Sequence, residues 1–173
     1  MLKTVIINGT GGSGKDTFVE LCKEYVEKMD NYYIYNRSSV DKIKEAAVIV
    51  GWDGSKTERD RMFLSDLKIL VEEYNDNNFQ YMKEQYEKIK LTDDIYRNSI
   101  LFLHIREPKE IQRVKEAFNA ITLFIKNDNV ADITSNMADA NVKNYEYDIV
   151  IDNSGSLEEL AYKAKEFVDI LFH

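Results

Sequence analysis

The residues best suited to chemistry are crowded into one short segment near the amino terminus. Four of the seven glycines fall between Gly9 and Gly14, and the next three residues are Lys15, Asp16 and Thr17. Without Cβ atoms in the way, consecutive main-chain N–H groups can turn toward a single anion. A lysine directly after such a turn adds a full positive charge. The segment therefore predicts a cradle for a polyphosphate.

The residues around the glycines have the context that such a cradle requires. An apolar run at residues 4–7 precedes them, and a helical stripe that begins at Phe18 follows. Gly9, Gly14 and Lys15 fit the pattern G-x-x-x-x-G-K-[ST] of the phosphate-binding loop (P-loop), which lies between a strand and a helix. Lys15 is the expected catalytic cation, because it can reach the β- and γ-phosphates of a nucleoside triphosphate. The residues expected to bind the nucleotide are Gly9, Gly11, Gly12, Ser13, Gly14, Lys15, Asp16 and Thr17.

One position departs from the pattern. Asp16 stands where a hydroxyl residue normally coordinates Mg²⁺, and Thr17 follows one position later. Asp16 could bind the metal directly, bind it through water, or lie beside the acceptor as a proton acceptor, while Thr17 could supply the hydroxyl. An aspartate in a first helical turn is also favourable beside the helix dipole. We predict Mg²⁺ at Asp16 and Thr17, and a catalytic role for Asp16.

Short apolar runs alternate with segments of helical periodicity along the chain. Several runs lack an apolar/polar alternation, which is typical of strands covered on both faces. This pattern predicts a three-layer α/β fold with a central parallel sheet of about five strands and right-handed crossovers. The five runs are residues 4–7, 32–35, 100–105, 121–125 and 147–151.

The interval between the second and third runs is unusually long. Residues 38–98 have room for two or three helices, one of them with the stripe Phe63, Leu67, Leu70 and Tyr74. We predict a helical, substrate-binding insertion here. No linker or repeat interrupts the chain, so we expect one domain over residues 1–173.

Arginines near the predicted strand ends are candidates for binding an acceptor phosphate. Arg37 follows the second run and Arg106 follows the third. Ligands of open α/β sheets bind at the carboxyl ends of the strands, so both should lie beside the loop. We predict that Arg106 is catalytic and that it binds the substrate together with Arg37. Arg61, which lies early on the third predicted helix, is a further predicted substrate-binding residue. The competing interpretation for each is a surface ion pair. His104, inside an apolar run, is expected to be a hydrogen-bonded core residue.

The glycine loop and the carboxyl-terminal residues resemble a known group. A loop ending in Gly14-Lys15-Asp16-Thr17 resembles that of the phage-type deoxynucleoside monophosphate kinases, and animal-type phosphomevalonate kinases share the Gly-Lys-Asp element. Residues 147–160 are similar to the last strand and helix of nucleoside monophosphate kinase-like proteins. The resemblance implies ATP as donor, Mg²⁺, a (deoxy)nucleoside monophosphate or another small phosphorylated acceptor, and a position near the adenine for Asn153.

One feature of that group is missing. Its members usually carry arginines in a lid over the transferring phosphate, but this chain has no arginine beyond Arg113. The expected lid, residues 127–144, has Lys143 near its far end and Lys126 just before it. Two hypotheses therefore stay open: a kinase, and a nucleotide-binding or regulatory protein with little turnover. The acceptor also stays open among nucleotides, dephospho-coenzyme A and phosphomevalonate-like compounds.

The amino-acid composition disfavours several classes of binding partner. The chain has 23 basic and 31 acidic residues, a net charge of −8, which disfavours nucleic acid as a partner. No apolar stretch approaches the roughly 18 residues that span a bilayer. A single cysteine, Cys22, excludes an intrachain disulfide. We expect a cytoplasmic protein without a membrane or nucleic-acid partner, with its oligomeric state undetermined.

Overall fold

A computed structural model describes residues 1–92, 97–130, 142 and 145–172. Within these ranges, strands and helices alternate as the sequence predicts, with boundaries that differ by a few residues. The strands are β1 (Leu2–Asn8), β2 (Tyr32–Ser38), β3 (Asn98–His104), β4 (Ile121–Lys126) and β5 (Ile149–Asp152). The helices are α1 (Lys15–Val26), α2 (Asp41–Ile49), α3 (Glu58–Asn75), α4 (Asn77–Thr92), α5 (Pro108–Phe118) and α6 (Leu157–Phe172).

The five strands form one parallel sheet in the order β2-β3-β1-β4-β5. The central strand, β1, pairs with β3 on one side and with β4 on the other. After β1 the chain forms β2 and β3 on one side of that strand, and it then crosses to form β4 and β5 on the other side. The carboxyl end of β1 lies at this change of direction. Open α/β sheets bind their ligands at such a point.

Helices cover both faces of the sheet. On one face, α1 and α6 pack on the strands through the ring of Phe167, which lies edge-on to Phe18 at 5.5 Å and stacks on Phe102 at 6.2 Å. Cys22 is buried in this layer, and burial raises the pKa of its thiol. On the other face, α4 and α5 cover the sheet, and the residues that share this core are Ile6, Met82, Ile89, Leu101, Leu103, Ile111 and Val114.

The insertion between β2 and β3 consists of α2, α3 and α4, as predicted. Thr57 begins α3 with a capping box in which its side chain and that of Asp60 each accept a main-chain N–H. No residue of this 18-residue helix is buried. The predicted stripe is there, but Leu70 and Tyr74 are 66% and 87% exposed. Within the described ranges, no helix has the length and apolar character needed to cross a bilayer.

Candidate nucleotide-binding site

The glycine loop joins β1 to α1 through backbone conformations that suit glycine. Gly12 and Gly14 have φ values of +81° and +93°, in the left-handed region. Close neighbours restrict two of the glycines further. A Cβ on Gly14 would collide with the side-chain amide of Asn153, and one on Gly9 would lie 2.5 Å from both the Ile125 carbonyl oxygen and Ser13 Oγ. Other residues therefore cannot replace these glycines without moving the loop.

Lys15 folds back over the loop that precedes it. Its Nζ donates to the carbonyl oxygens of Gly9 at 2.7 Å and Thr10 at 2.9 Å. A turn in which Ser13 N donates to Thr10 O at 3.1 Å brings these carbonyls together. The first turn of α1 starts at the same place, with the positive end of its dipole toward the loop. An ammonium, a helix amino terminus and the glycine loop therefore converge at the end of β1.

Asp16 and Thr17 lie on the open side of the first turn of α1, where both are exposed. The Asp16 side chain is 96% exposed, and its Oδ1 lies 4.0 Å from Nδ1 of His104. Among the residues that the structure describes, no group of three or more His, Cys, Asp or Glu could hold a metal by itself. Mg²⁺ usually binds through one or two carboxylates, substrate phosphates and waters. An exposed carboxylate and hydroxyl beside a phosphate cradle fit that donor set.

His104 closes β3, where many P-loop enzymes carry a metal-binding aspartate. Its Nε2 lies 2.8 Å from Oδ1 of Asn36 on β2, and its side chain is only 17% exposed. Burial lowers the pKa of His104 to about 4, so the imidazole is neutral near pH 7. This environment agrees with the prediction of a buried, hydrogen-bonded histidine.

Asn153 reaches the loop from the far end of the chain. Its Nδ2 donates to the carbonyl oxygen of Ser13 at 2.9 Å, and its main-chain N donates to Lys126 O at 2.6 Å. The loops after β4 and β5 are also joined, because Ser154 accepts from Asp128 N at 2.9 Å. The resemblance predicts a position near the adenine for Asn153, and the structure shows Asn153 in contact with the glycine loop.

The three predicted substrate arginines occupy different surroundings. Arg37, at the end of β2, is half-buried, and its Nε donates to Gln85 Oε1 of α4 at 3.0 Å. Arg106 is exposed in the segment between β3 and α5, and its carbonyl oxygen accepts from Asn8 Nδ2 at 3.4 Å. Arg61 is exposed near the start of α3 in the insertion, on the helix that the sequence predicts for it. The sheet edge thus carries Arg37 and Arg106.

Sequence reasoning missed three residues of this region. Asn8 accepts the Gly9 N–H at 2.8 Å and donates to the Tyr147 hydroxyl at 2.8 Å, while Gln85 holds Arg37. An asparagine that ends an apolar strand, just before the first loop glycine, was a usable signal for Asn8. Tyr147 and Gln85 had no local signal. Of the predicted lid, residues 131–141 and 143–144, and with them Lys143, lie outside the described residues.

Comparison with known proteins shows which solved structures share this fold. No protein-family model matches the chain, and no curated protein matches its sequence. Among solved structures, it is similar to shikimate kinase from Aquifex aeolicus (TM-score 0.56, 12% identity, 96% of each chain covered). It is also similar to thymidylate kinase from Ehrlichia chaffeensis (TM-score 0.50, 13% identity, 96% of this chain and 98% of that chain covered).

The chain has the fold of a P-loop kinase. The predicted three-layer architecture, with its parallel sheet and helical insertion, is confirmed by this match and by the observed strand order. At identities of 12% and 13%, the similarity concerns the fold. The closer resemblance to the phage-type deoxynucleoside monophosphate kinases stays a prediction.

Proposed function

We propose that this protein is an ATP-dependent phosphotransferase that acts on a small phosphorylated acceptor, with a (deoxy)nucleoside monophosphate as the favoured class. The observation that carries the proposal is the position of Lys15. Its ammonium is held at 2.7 and 2.9 Å by two carbonyl oxygens of the glycine loop, at the carboxyl end of the central strand. An incoming phosphate is a stronger partner for this charge than neutral carbonyls are, so it can take their place.

The loop and the first turn of α1 are the donor side of the proposed site. Main-chain N–H groups around residues 11–14 and the dipole of α1 bind the β- and γ-phosphates, and Lys15 bridges them. Asp16 and Thr17 would hold Mg²⁺, which would supply charge neutralisation during the transfer. Asn153, which is bonded to Ser13, supports the cradle and borders the base.

Arg37 and Arg106 form the acceptor side. An ionised oxygen of the acceptor phosphate attacks the γ-phosphorus, the bond from that phosphorus to the bridging oxygen breaks, and ADP leaves with the electron pair. The attacking oxygen carries no proton, so positioning and charge neutralisation supply the catalysis. Gln85 fixes one side of the Arg37 guanidinium, and Arg106, which is exposed between β3 and α5, binds the transferring group. Arg61 extends this basic side from the insertion.

The similar structures support a kinase without selecting its acceptor. Shikimate kinase and thymidylate kinase share this fold although their names indicate different acceptors. The monophosphate class comes from the resemblance of the Gly-Lys-Asp-Thr ending of the loop to phage-type deoxynucleoside monophosphate kinases and of residues 147–160 to nucleoside monophosphate kinase-like proteins.

The direct test is ADP release from ATP and Mg²⁺ across a panel of deoxynucleoside and ribonucleoside monophosphates, dephospho-coenzyme A and phosphomevalonate. Lys15→Ala should lower acceptor-dependent turnover by about 100-fold or more, since the variant loses a charge that acts on the transferring phosphate. Lys23→Ala, which removes an exposed ammonium of the same helix that pairs with Glu20, is the matched control and should leave turnover unchanged. Equal turnover in Lys15→Ala and the parent protein would disprove the site.

A nucleotide-binding or regulatory protein with little turnover is the second candidate. Two observations favour it: no arginine follows Arg113 in the sequence, and β3 ends in His104 instead of an acidic residue. This function predicts ATP binding that Lys15→Ala weakens, without acceptor-dependent ADP release from any compound of the panel. The same assays therefore separate the two functions.

A further inference from the structure

Asn8 lies where β1 becomes the glycine loop, and its side chain is involved in several contacts at once. Only 1% of the residue is exposed. Its Oδ1 accepts the Gly9 N–H at 2.8 Å, and its Nδ2 donates to the Tyr147 hydroxyl at 2.8 Å and lies 3.4 Å from the Arg106 carbonyl oxygen. The side-chain amide suits this place because it offers an acceptor and a donor together.

Tyr147 is fixed from several directions. Its ring lies 4.9 Å from that of Phe124 on β4 and 5.1 Å from that of Tyr145. Its hydroxyl donates to the carbonyl oxygen of Val142 at 2.9 Å while it accepts from Asn8. Burial raises the pKa of Tyr147 to about 12, so the hydroxyl keeps the proton that it donates.

Gly9 connects this pair to the phosphate site. The Gly9 N–H is held by Asn8, and the Gly9 carbonyl oxygen is the 2.7 Å acceptor of Lys15 Nζ. A rotation of the Asn8 amide would therefore break its hydrogen bond to the Gly9 N–H, and the carbonyl oxygen of that same glycine accepts from Lys15. Tyr147 opposes that rotation. Its hydroxyl donates to Val142, and this fixes the direction from which the hydroxyl oxygen can accept the Asn8 Nδ2 hydrogen.

We propose that Asn8 and Tyr147 act as a hydrogen-bonded pair that positions the start of the glycine loop for a polyphosphate. Both are positioning residues, since they act through the main chain of Gly9, where the loop begins, rather than on the ligand. The inference rests on the proposed function in that the ligand of the loop is a polyphosphate. A purely structural role, in which the pair only satisfies buried polar groups, would affect stability without changing phosphate affinity.

The first experiment compares Tyr147→Phe with Tyr145→Phe by isothermal titration with inorganic tripolyphosphate, ATP and adenosine. Tyr147→Phe keeps the ring and removes the hydroxyl. We expect it to weaken the binding of tripolyphosphate and ATP about three- to tenfold, the effect of one neutral hydrogen bond. The affinity for adenosine should stay unchanged. Tyr145 donates its hydroxyl to Gln112 at the surface, so Tyr145→Phe should bind all three as the parent does. Unchanged tripolyphosphate affinity in Tyr147→Phe overturns the inference.

A double-mutant cycle tests whether the two residues act as one unit. In Asn8→Ser the side chain is too short to reach from Gly9 to Tyr147. This variant should therefore weaken the binding of tripolyphosphate at least as much as Tyr147→Phe does. The double variant should then bind no more weakly than Asn8→Ser alone. Effects that multiply in the double variant would mean that the residues act independently, which contradicts the proposed pair.

Amide hydrogen exchange at Gly9 gives a second measurement that needs neither ligand nor an Asn8 variant. In Tyr147→Phe the Gly9 N–H should exchange about tenfold faster or more, since its acceptor is no longer held in place. Equal exchange rates in the variant and the parent overturn the inference. If the parent itself binds neither tripolyphosphate nor ATP, the proposed function fails, and the exchange rate still reports on the pair.

Discussion

His104 is held neutral at the edge of the candidate site. Burial is the largest cause of its lowered pKa, and Lys15 and Lys44 lower it further, while Asp16 and Asp41 oppose the shift. The unfolded chain, in which the imidazole has its ordinary pKa near 6.5, takes up a proton more readily than the folded protein does. Protonation of His104 therefore favours unfolding, and the folded protein becomes less stable as the pH is lowered from 6.5 toward 4.

This shift predicts a measurable difference between the parent protein and His104→Gln. Between pH 7.5 and pH 5, the parent should lose about 2 kcal/mol more of its free energy of unfolding than the variant, because glutamine does not titrate. Urea unfolding at the two pH values measures this difference. If both proteins lose the same free energy, His104 does not have the lowered pKa that its burial implies.

At the scale of elements, the insertion shows how helical periodicity and burial differ. The stripe of α3 identifies a helix correctly, yet Leu70 on that stripe is 66% exposed. By contrast, Met82 of α4 is fully buried in the core against the sheet, together with Leu101 and Ile111. A stripe is a property of the helix alone, whereas burial depends on which neighbour the helix meets.

A pair of alanine substitutions tests this assignment. Met82→Ala should lower the free energy of unfolding by about 2–5 kcal/mol, since it leaves a cavity in a packed core. Leu70→Ala, the matched control, should change it by about 0.5 kcal/mol or less, because its side chain is largely in water. Chemical denaturation of both variants provides the values. A larger loss for Leu70→Ala would mean that α3, rather than α4, is the anchored helix of the insertion.

At the scale of the whole molecule, the strand order separates the two sides of the candidate site. Arg37 lies near the carboxyl end of β2 at one edge of the sheet, whereas Asn153 follows β5 at the opposite edge. The glycine loop lies between them at the end of β1. In the proposed function, the acceptor therefore binds toward β2 and the donor toward β5.

Crossed kinetic effects follow from this separation. Arg37→Ala should raise the acceptor KM about tenfold through the loss of a charged hydrogen bond, and should leave the dissociation constant of ATP within about twofold. Asn153→Ala should raise the dissociation constant of ATP about three- to tenfold without changing the acceptor KM. Arg59→Ala, at an exposed arginine of α3, serves as the control for removing a cation. A single variant that weakens the binding of ATP and of the acceptor equally would contradict the separation of the donor and acceptor sides.

The fold could be predicted well because its signals are local and repeated. Apolar runs, the helical stripes between them and the long interval before β3 indicated a parallel α/β fold with an insertion, and all three features are present. The order of strands across the sheet could not be read from these signals, since a run of apolar residues does not indicate its neighbours. The contact between Arg37 and Gln85 was missed because it joins β2 to α4 across 48 positions, and no local pattern indicates such a pairing.

By itself, the sequence determined the glycine loop, its lysine and the strand and helix on either side, because the conformation of a short loop depends on residues only a few positions apart. Tertiary structure alone decided what surrounds that loop. Asn153 bonds to Ser13 across 140 positions, and Tyr147 bonds to Asn8 across 139. These contacts exist because β4 pairs with both β1 and β5, which brings the end of the chain to its beginning.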